Sequence, residues 1–405
     1  MVKDCAYHAW LKRELITMSN DIVLECEVAT DDALQYALDM YDIEKGAGLR
    51  TVIPDRINPP EGWVIGAIVG ASGAGKTTLL KNHFGHSERQ QLGETSISVI
   101  SYISQLLGGN PQEASRILSS VGLSSVPAWI RPSFCLSNGE TFRFDLACTI
   151  ADAIANDREI ITIDEFTSVV DRNVAKAASF ALQKFARKTG QRLVVASCHD
   201  DIVEWLNPDW VYNPHDGETV VREDRGWSVQ RPKIELKILR AEYDAWEMFK
   251  NHHYLSEDLN KACRLFVAYW DNKPVACNAI LPFPNGGIQN GWRSSRVVVL
   301  PDYQGLGLAG ALSEFVSSMI KSQGGRLFAR LRHPALANHR LNRPNTWKET
   351  AVSRKVHTHR GNEEWGWKQN DRECWSFEYI GEPSSLHDAE LFWGIKFESD
   401  KHEWL

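Results

Sequence analysis

Trp63-Val-Ile-Gly-Ala-Ile-Val69 runs straight into Gly70-Ala-Ser-Gly-Ala-Gly75-Lys76-Thr77-Thr78, and the order of these two stretches decides the fold. The first is short, apolar and rich in β-branched residues, the pattern of a central parallel strand. The second fits G-x-x-x-x-G-K-[ST]. Its small residues, Gly70, Ser72, Gly73 and Gly75, let successive backbone N–H groups wrap a phosphate. The helix predicted from Lys76 aims its positive end at the same charge. Lys76 is placed to reach the β- and γ-phosphates of a nucleotide, Thr77 to give a hydroxyl to Mg²⁺, and Thr78 to extend the cradle into the helix.

Upstream, Ile22–Cys26 reads as a strand and Ala33–Met40 as a helix, with Pro54, Pro59, Pro60 and Gly62 breaking the chain before Trp63. Downstream, helix and strand signals alternate as far as Tyr212, as in a doubly wound α/β domain. Within that alternation Ile160–Ile163 delivers Asp164 and Glu165. A buried strand ending on two acids needs a compensating partner. Mg²⁺ held by Asp164 and a water polarised by Glu165 supply one. The polar stretch Asn213–Trp227 predicts a linker or domain edge before Pro232.

Four more segments stand in order around these. Leu136-Ser137-Asn138-Gly139-Glu140 opens a helix and follows Glu113–Leu123; Asp171 lies seven residues past Asp164; His199 follows a strand at Arg192–Ala196; and Gln105 lies between the glycine loop and the acids. Together they resemble the ATP-binding-cassette (ABC) ATPases over residues 20–215. The resemblance implies that Ser137 and Gly139 are the signature that acts on the γ-phosphate of a partner subunit. It makes Asp171 the D-loop, Gln105 the Q-loop glutamine that reaches Mg²⁺, and Glu165 and His199 the catalytic pair. It also implies ATP and Mg²⁺ as ligands, with a homodimer closing around two nucleotides. Asn138 and Glu140 depart from the family's Gly and Gln, and Gln105 lies closer to Lys76 than is usual. For the adenine-stacking aromatic, Tyr41 and Trp63 both remain candidates.

Beyond residue 232 a second pattern begins, with strands predicted at Ile234–Arg240, Arg264–Tyr269, Val275–Leu281 and Arg296–Leu300, then a helix at Leu306–Lys321. The stretch Val297-Val298-Val299-Leu-Pro-Asp-Tyr-Gln304-Gly305-Leu-Gly307-Leu-Ala309 joins a strand to that helix. It resembles the Q/R-x-x-G-x-G/A motif of the GNAT acyltransferases. The resemblance implies a pyrophosphate of acetyl-CoA or another acyl-CoA on the Gln304–Ala309 backbone, with the pantetheine arm along Val298 and Val299. Asp244, His252, His253, Tyr254 and Tyr379 are candidates for its acid and base. Cys263 and Cys277 read as buried hydrophobes. His252-His-Tyr-Leu255 also resembles a short motif of Mom-type DNA-modifying members of this superfamily. Arg326, Arg330, Arg332, His333, His339, Arg340, Arg343 and Lys348, interleaved with Phe328 and Trp347, could hold phosphates and stack bases, or line a coenzyme pocket.

The expected organisation is therefore an N-terminal extension over 1–19, an ABC-type α/β ATPase domain over 20–225 and a GNAT-like α+β domain over 232–405. It resembles ATPase–acetyltransferase fusions of phages and microbes. Composition fits: of 405 residues 43% are hydrophobic and 24% charged. The net charge of -7 disfavours bulk coating of nucleic acid. The eight cysteines form no C-x-x-C pair, and no window of about 18 apolar residues exists to span a bilayer. These features predict a cytoplasmic protein without a membrane partner. The leading expectation is ATP hydrolysis coupled to group transfer, with a nucleic-acid base as one acceptor. The alternative is an ATP-gated nucleic-acid clamp without transfer, and a transporter subunit ranks third.

Overall fold

Five strands carry the first half of the sequence: β3 (Ile65–Val69), β4 (Ile160–Ile163), β5 (Arg192–Ser197), β6 (Trp210–Asn213) and β7 (Glu218–Val221). In the computed structural model they form one sheet in the order β4-β5-β3-β6-β7, parallel except for the β6–β7 pair. A separate ribbon pairs β1 (Ile22–Glu25) with β2 (Arg50–Ile53). The structure describes residues 21–25, 31–43, 50–85, 96–222, 229–230, 232–253, 258–284, 287–353, 374–385 and 388. The predicted extension over 1–19, Tyr254 and Leu255 lie outside them.

The chain forms two units that are not contiguous in sequence. The first takes residues 1–89, 157–169 and 183–230, and the second takes 90–156, 170–182 and 231–405. In the first unit the strand predicted at Trp63–Val69 forms over Ile65–Val69, all of it buried. Its core gathers Ile68, Leu79, Leu80, Val194, Ala196 and Trp210. Trp63, a sequence candidate for the adenine platform, is only 6% exposed. Phe84 and Trp210 meet it edge-on, and the Arg192 guanidinium lies 4.1 Å above its ring. That stack leaves no face for a base, which corrects this candidate; Tyr41 stays exposed.

The start of β3 is held by a buried ion pair. Arg187 donates from Nη1 and Nη2 to the two Asp209 oxygens at 2.8 Å each, and the Val64 and Ile65 N–H groups donate to the same carboxylate at 2.8 and 3.0 Å. Burial pushes the Asp209 carboxyl up, but the Arg187 hydrogen bonds, the two backbone donors and the Arg187 charge together hold it below its ordinary value. The polar stretch predicted to lead to a domain edge before Pro232 begins as a hairpin, and the first unit ends at Gln230. Gly217 N–H returns to the Asn213 carbonyl at 2.9 Å, and Asn213 and Asp216 close the turn side chain to side chain.

The second unit begins with helices α2 (Val99–Leu106), α3 (Pro111–Ser120) and α4 (Asn138–Ala155), and takes the first part of α5 (Arg172–Thr189). Its sheet runs β13-β14-β12-β11-β10-β9-β8, from β8 (Lys237–Ala241), β9 (Arg264–Trp270), β10 (Lys273–Pro282), β11 (Gly291–Val299), β12 (Arg326–Leu331), β13 (Trp347–Ser353) and β14 (Cys374–Tyr379). All pairings are antiparallel except β11 with β12, which helix α6 (Leu308–Ser322) joins as a crossover. A short helix, α7 (Pro334–Leu341), follows β12. β11 is longer than predicted because Gly291–Ser294, polar by composition, pairs with both neighbours.

Gly66 faces the Trp210 indole so closely that a β-carbon there would lie 2.1 Å from the ring. Gly66→Ala should therefore displace Trp210 and destabilise the protein by about 3 kcal/mol. Urea unfolding followed by tryptophan fluorescence measures it, and an unchanged midpoint would show that the sheet absorbs the methyl group.

Candidate functional sites

The first site lies at the carboxyl ends of three adjacent parallel strands, where α/β sheets bind ligands. β3 ends in the glycine loop, β4 in the acid pair and β5, between them, in the turn to His199. Gly73 and Gly75 have φ of 80° and 87°, and around Gly73 nothing lies within 4 Å of where a β-carbon would stand. The loop backbone is thus open to approach at Gly73. α1 (Lys76–Phe84) starts at once, with Gly75 as its N-cap and no side chain capping it, so its first N–H groups point into the loop. Lys76 is buried and donates from Nζ to the Ala71 carbonyl at 2.7 Å, arching over the loop.

Asp164 is half-buried and accepts the Glu165 N–H at 2.9 Å, while the Glu165 side chain is exposed. Glu165 and Thr167 have φ of 50° and 65°, left-handed values rare for side-chain-bearing residues. They are held by the Phe166 N–H on Ala196 O at 2.8 Å and by Ser197 Oγ on Phe166 O at 2.9 Å. Ser197 Oγ also accepts the His199 N–H at 3.1 Å, so one buried hydroxyl ties the acid turn to the histidine turn. Thr77 and Asp164 supply a hydroxyl and a carboxylate, the few ligands a phosphate-bound Mg²⁺ requires of a protein.

The remaining ATPase candidates belong to the second unit. Ser137 caps α4 in a capping box: its Oγ accepts the Glu140 N–H at 3.3 Å and Glu140 Oε2 accepts the Ser137 N–H at 3.0 Å. Glu140 in place of the family's Gln is therefore a capping residue, and the exposed Ser137 hydroxyl can still donate its proton. Asp171 caps α5 by accepting the Asn173 and Val174 N–H groups at 2.8 and 3.1 Å. Gln105 is exposed near the end of α2.

In the same unit β11 and β12 pair only over Gly291–Ser294 and Arg326–Ala329, then part. Beyond the split come Val298 and Val299, a short 3-10 turn at Pro301–Tyr303, and Gln304-Gly305-Leu-Gly307. Gly307, with φ of 82°, is the N-cap of α6, and nothing lies within 4 Å of its missing β-carbon. A parted strand pair beside an open glycine at a long helix's N-terminus fits an acyl-CoA, arm in the split and pyrophosphate on the loop. Val298 points into the core and the Val299 carbonyl accepts from Gln304 Nε2 at 3.0 Å.

Of the acid–base candidates, Asp244 is exposed and the Tyr379 hydroxyl donates to the Glu382 carbonyl at 3.0 Å. Burial pushes both the Cys263 and Cys277 thiols up; Cys277 is fully buried, as a hydrophobe would be, whereas Cys263 is only half-buried. The basic stretch is only partly drawn into the fold. Arg340 is fully buried, donates from Nη2 to Ser313 Oγ at 2.9 Å and stacks 3.9 Å above Trp347. His339 and Arg343 pair with Glu314, Arg326 with Glu378, and His333 lies 3.1 Å from the Ser124 carbonyl. Arg326, Arg330, Arg332 and Lys348 remain exposed, Arg330 donating from Nε to Cys374 Sγ at 3.1 Å. Sequence reasoning missed Gly122, Ser124, Arg143 and Asp302, which meet the Gln304 loop or its approach from far along the chain or from its own flank. No local pattern marks a contact of that kind.

Residues 261–343 match the model of the acetyltransferase (GNAT) domain family. No curated protein matches the chain. Among solved structures, it is similar to the ribosomal-protein-S18-alanine N-acetyltransferase of Escherichia coli at 16% identity and TM-score 0.28, covering 37% of this chain and 97% of that one. It is also similar to the dimeric ATP-binding cassette MJ0796 bound to ADP and Pi, at 17% identity and TM-score 0.34 over 44% of this chain and 94% of that one. A third, cbiO1 of Clostridium perfringens, part of an ABC transporter complex, gives 18% identity and TM-score 0.33 over 50% and 88%.

Burial, then the Arg296 charge, pushes His253 down to about 4, and burial is also the main cause that lowers His252. Both rings are neutral at pH 7. The unfolded chain therefore takes up protons first as the pH falls through about 6.5, and stability drops from there to about pH 4. His253 should account for about 3 kcal/mol of that loss at most. Urea midpoints at pH 7 and pH 5 should differ for the wild type and differ less for His253→Phe, which keeps a ring against Trp246; an equal difference in both proteins would refute the assignment.

Residues 261–343 thus match the GNAT acetyltransferase domain family, and ahead of them the chain sets a phosphate-type glycine loop and an acid pair on neighbouring strand ends.

Proposed function

We propose that the protein hydrolyses ATP between two copies of itself and transfers an acyl group from acyl-CoA to an amine. The observation that carries the ATPase half is the meeting of glycine loop, acid pair and His199 turn on three neighbouring strand ends, tied by Ser197. Lys76 leaves the Ala71 carbonyl to contact phosphate oxygens, and the loop N–H groups with the α1 N-terminus neutralise the rest of the charge. Thr77 and Asp164 would hold Mg²⁺, which would supply neutralisation of phosphate charge. Glu165 orients water in line with the γ-phosphorus and takes its proton as the bond to the bridging oxygen breaks. Ser137 and Gly139 serve the partner copy's nucleotide, with Gln105, Asp171 and His199 in the supporting roles that the ABC resemblance implies.

In the GNAT domain, the Gln304–Ala309 backbone holds the coenzyme pyrophosphate and the split between β11 and β12 takes its arm. The bound coenzyme supplies an activated thioester. The acceptor amine attacks the thioester carbonyl carbon, the carbon–sulfur bond breaks, and a proton from the amine ends on the departing thiolate. A domain boundary between residues 225 and 232 fits the gap between the hairpin and β8. The engagement of most cations between Arg326 and Lys348 favours transfer over a nucleic-acid clamp.

Lys76→Ala should abolish ATP turnover, and Glu165→Gln should slow it about 100-fold or more while keeping ATP bound. Phosphate-release and nucleotide-binding assays read both, and wild-type turnover by Lys76→Ala would refute the ATPase reading. Gly307→Glu should eliminate acetyl-CoA binding in calorimetric titration; retained binding would remove the loop from the site.

A further inference from the structure

Two glycines of the second unit lie back to back across 183 positions of sequence. Gly122 has φ of 86° and Gly305 of 93°. A β-carbon on Gly122 would stand 3.0 Å from the Gln304 carbonyl oxygen, and one on Gly305 would stand 3.2 Å from the Gly122 Cα and 3.3 Å from Ala181 Cβ. Left-handed backbone and lack of room together select glycine at both. Beside this contact, Gln304 Oε1 accepts the Ser124 N–H at 2.8 Å, and the same side chain reaches back to the Val299 carbonyl.

Earlier in the loop's approach, the Asp302 carbonyl accepts from Arg143 Nη2 at 3.1 Å. Arg143 is fully buried on α4, the helix that Ser137 opens. The missing side chain of Gly139 lets Asp302 Oδ1 and Val174 approach that helix; a β-carbon there would lie 3.3 Å from the first and 3.2 Å from Val174 Cγ2. The signature helix and the segment after Asp171 thus press on Asp302–Gly305 from one side, while Gly307 stays open. A seam with no slack between backbones passes displacement on rather than absorbing it.

We propose that Arg143 and Ser124 are positioning residues for the coenzyme-binding loop, so that the state of the signature helix sets acyl-CoA affinity. This rests on the acyl-CoA reading above. Arg143 acts through its donation to Asp302 and Ser124 through its backbone N–H. Movement of α4 when Ser137 engages a nucleotide then shifts Asp302–Gly305 against Gly307. Linkage requires the reverse as well: bound coenzyme changes ATP affinity by the same factor.

The test titrates acetyl-CoA into full-length Glu165→Gln protein, without nucleotide and with saturating ATP and Mg²⁺. The expected result is a dissociation constant that differs about fivefold or more between the two, mirrored in ATP affinity with and without acetyl-CoA. Arg143→Lys, which keeps the charge but not the fork, should weaken acetyl-CoA and shrink the nucleotide dependence to within about twofold. Ser124→Ala, which keeps the N–H, should behave as the parent does. Equal acetyl-CoA affinity in both nucleotide states overturns the positioning role and leaves the transferase reading standing. Absence of acetyl-CoA binding in either state overturns both. Should Arg143→Lys fail to fold, amide exchange over 300–309 of the parent decides: a change on adding ATP without acetyl-CoA supports the inference, and none overturns it.

Discussion

The Asp209 carboxylate, buried between β3 and the residues that begin β6, takes four hydrogen bonds at once, two from Arg187 and two from the N–H groups of Val64 and Ile65. An ion pair without those backbone donors would be an expense in a core. With them it anchors the first residue of β3, and β3 delivers the glycine loop to the sheet edge where β4 and β5 also end. Gly66 one residue on, the Trp210 indole it admits, and the Trp63–Arg192 stack all build on that fixed start. Everything chemical in the first unit depends on where this strand begins.

The second unit solves a different problem by a similar device. Its glycine loop also opens a helix, but here only Gly307 faces open space. Gln304 and Gly305, which look like phosphate-binding residues in sequence, spend their side chain and their lack of one on Ser124, Gly122 and Ala181. A motif can thus be intact and still leave one glycine open while its neighbours pack against the protein itself. The capping box at Ser137–Glu140 makes the same point, since the departure from the family's Gln closes a helix end.

Much of the architecture is legible in the order of residues along the chain. Strands β3, β4, β5, β9 and β10 and helices α1, α4 and α6 form where hydrophobic period, glycines and caps place them, because those signals are local. The signals that mislead are those whose meaning depends on distant partners. Trp63, one of two candidates for an adenine platform, is a core residue. Arg340, His339 and Arg343 read as a cationic patch and are consumed by Ser313, Trp347 and Glu314, residues on other elements.

Sequence by itself determined the two glycine loops, the acid pair after an apolar strand and the helix that Ser137 opens, because each is written in neighbouring residues whose backbone preferences and charges act over a turn or less. Tertiary structure alone decided which of those residues stay open and which are spent on the fold. It set Gly122 against Gly305, Arg143 on Asp302 and His333 against Ser124, contacts between segments more than a hundred residues apart. Such contacts arise only when whole helices and strands pack, and close packing leaves no trace in the local order of the chain.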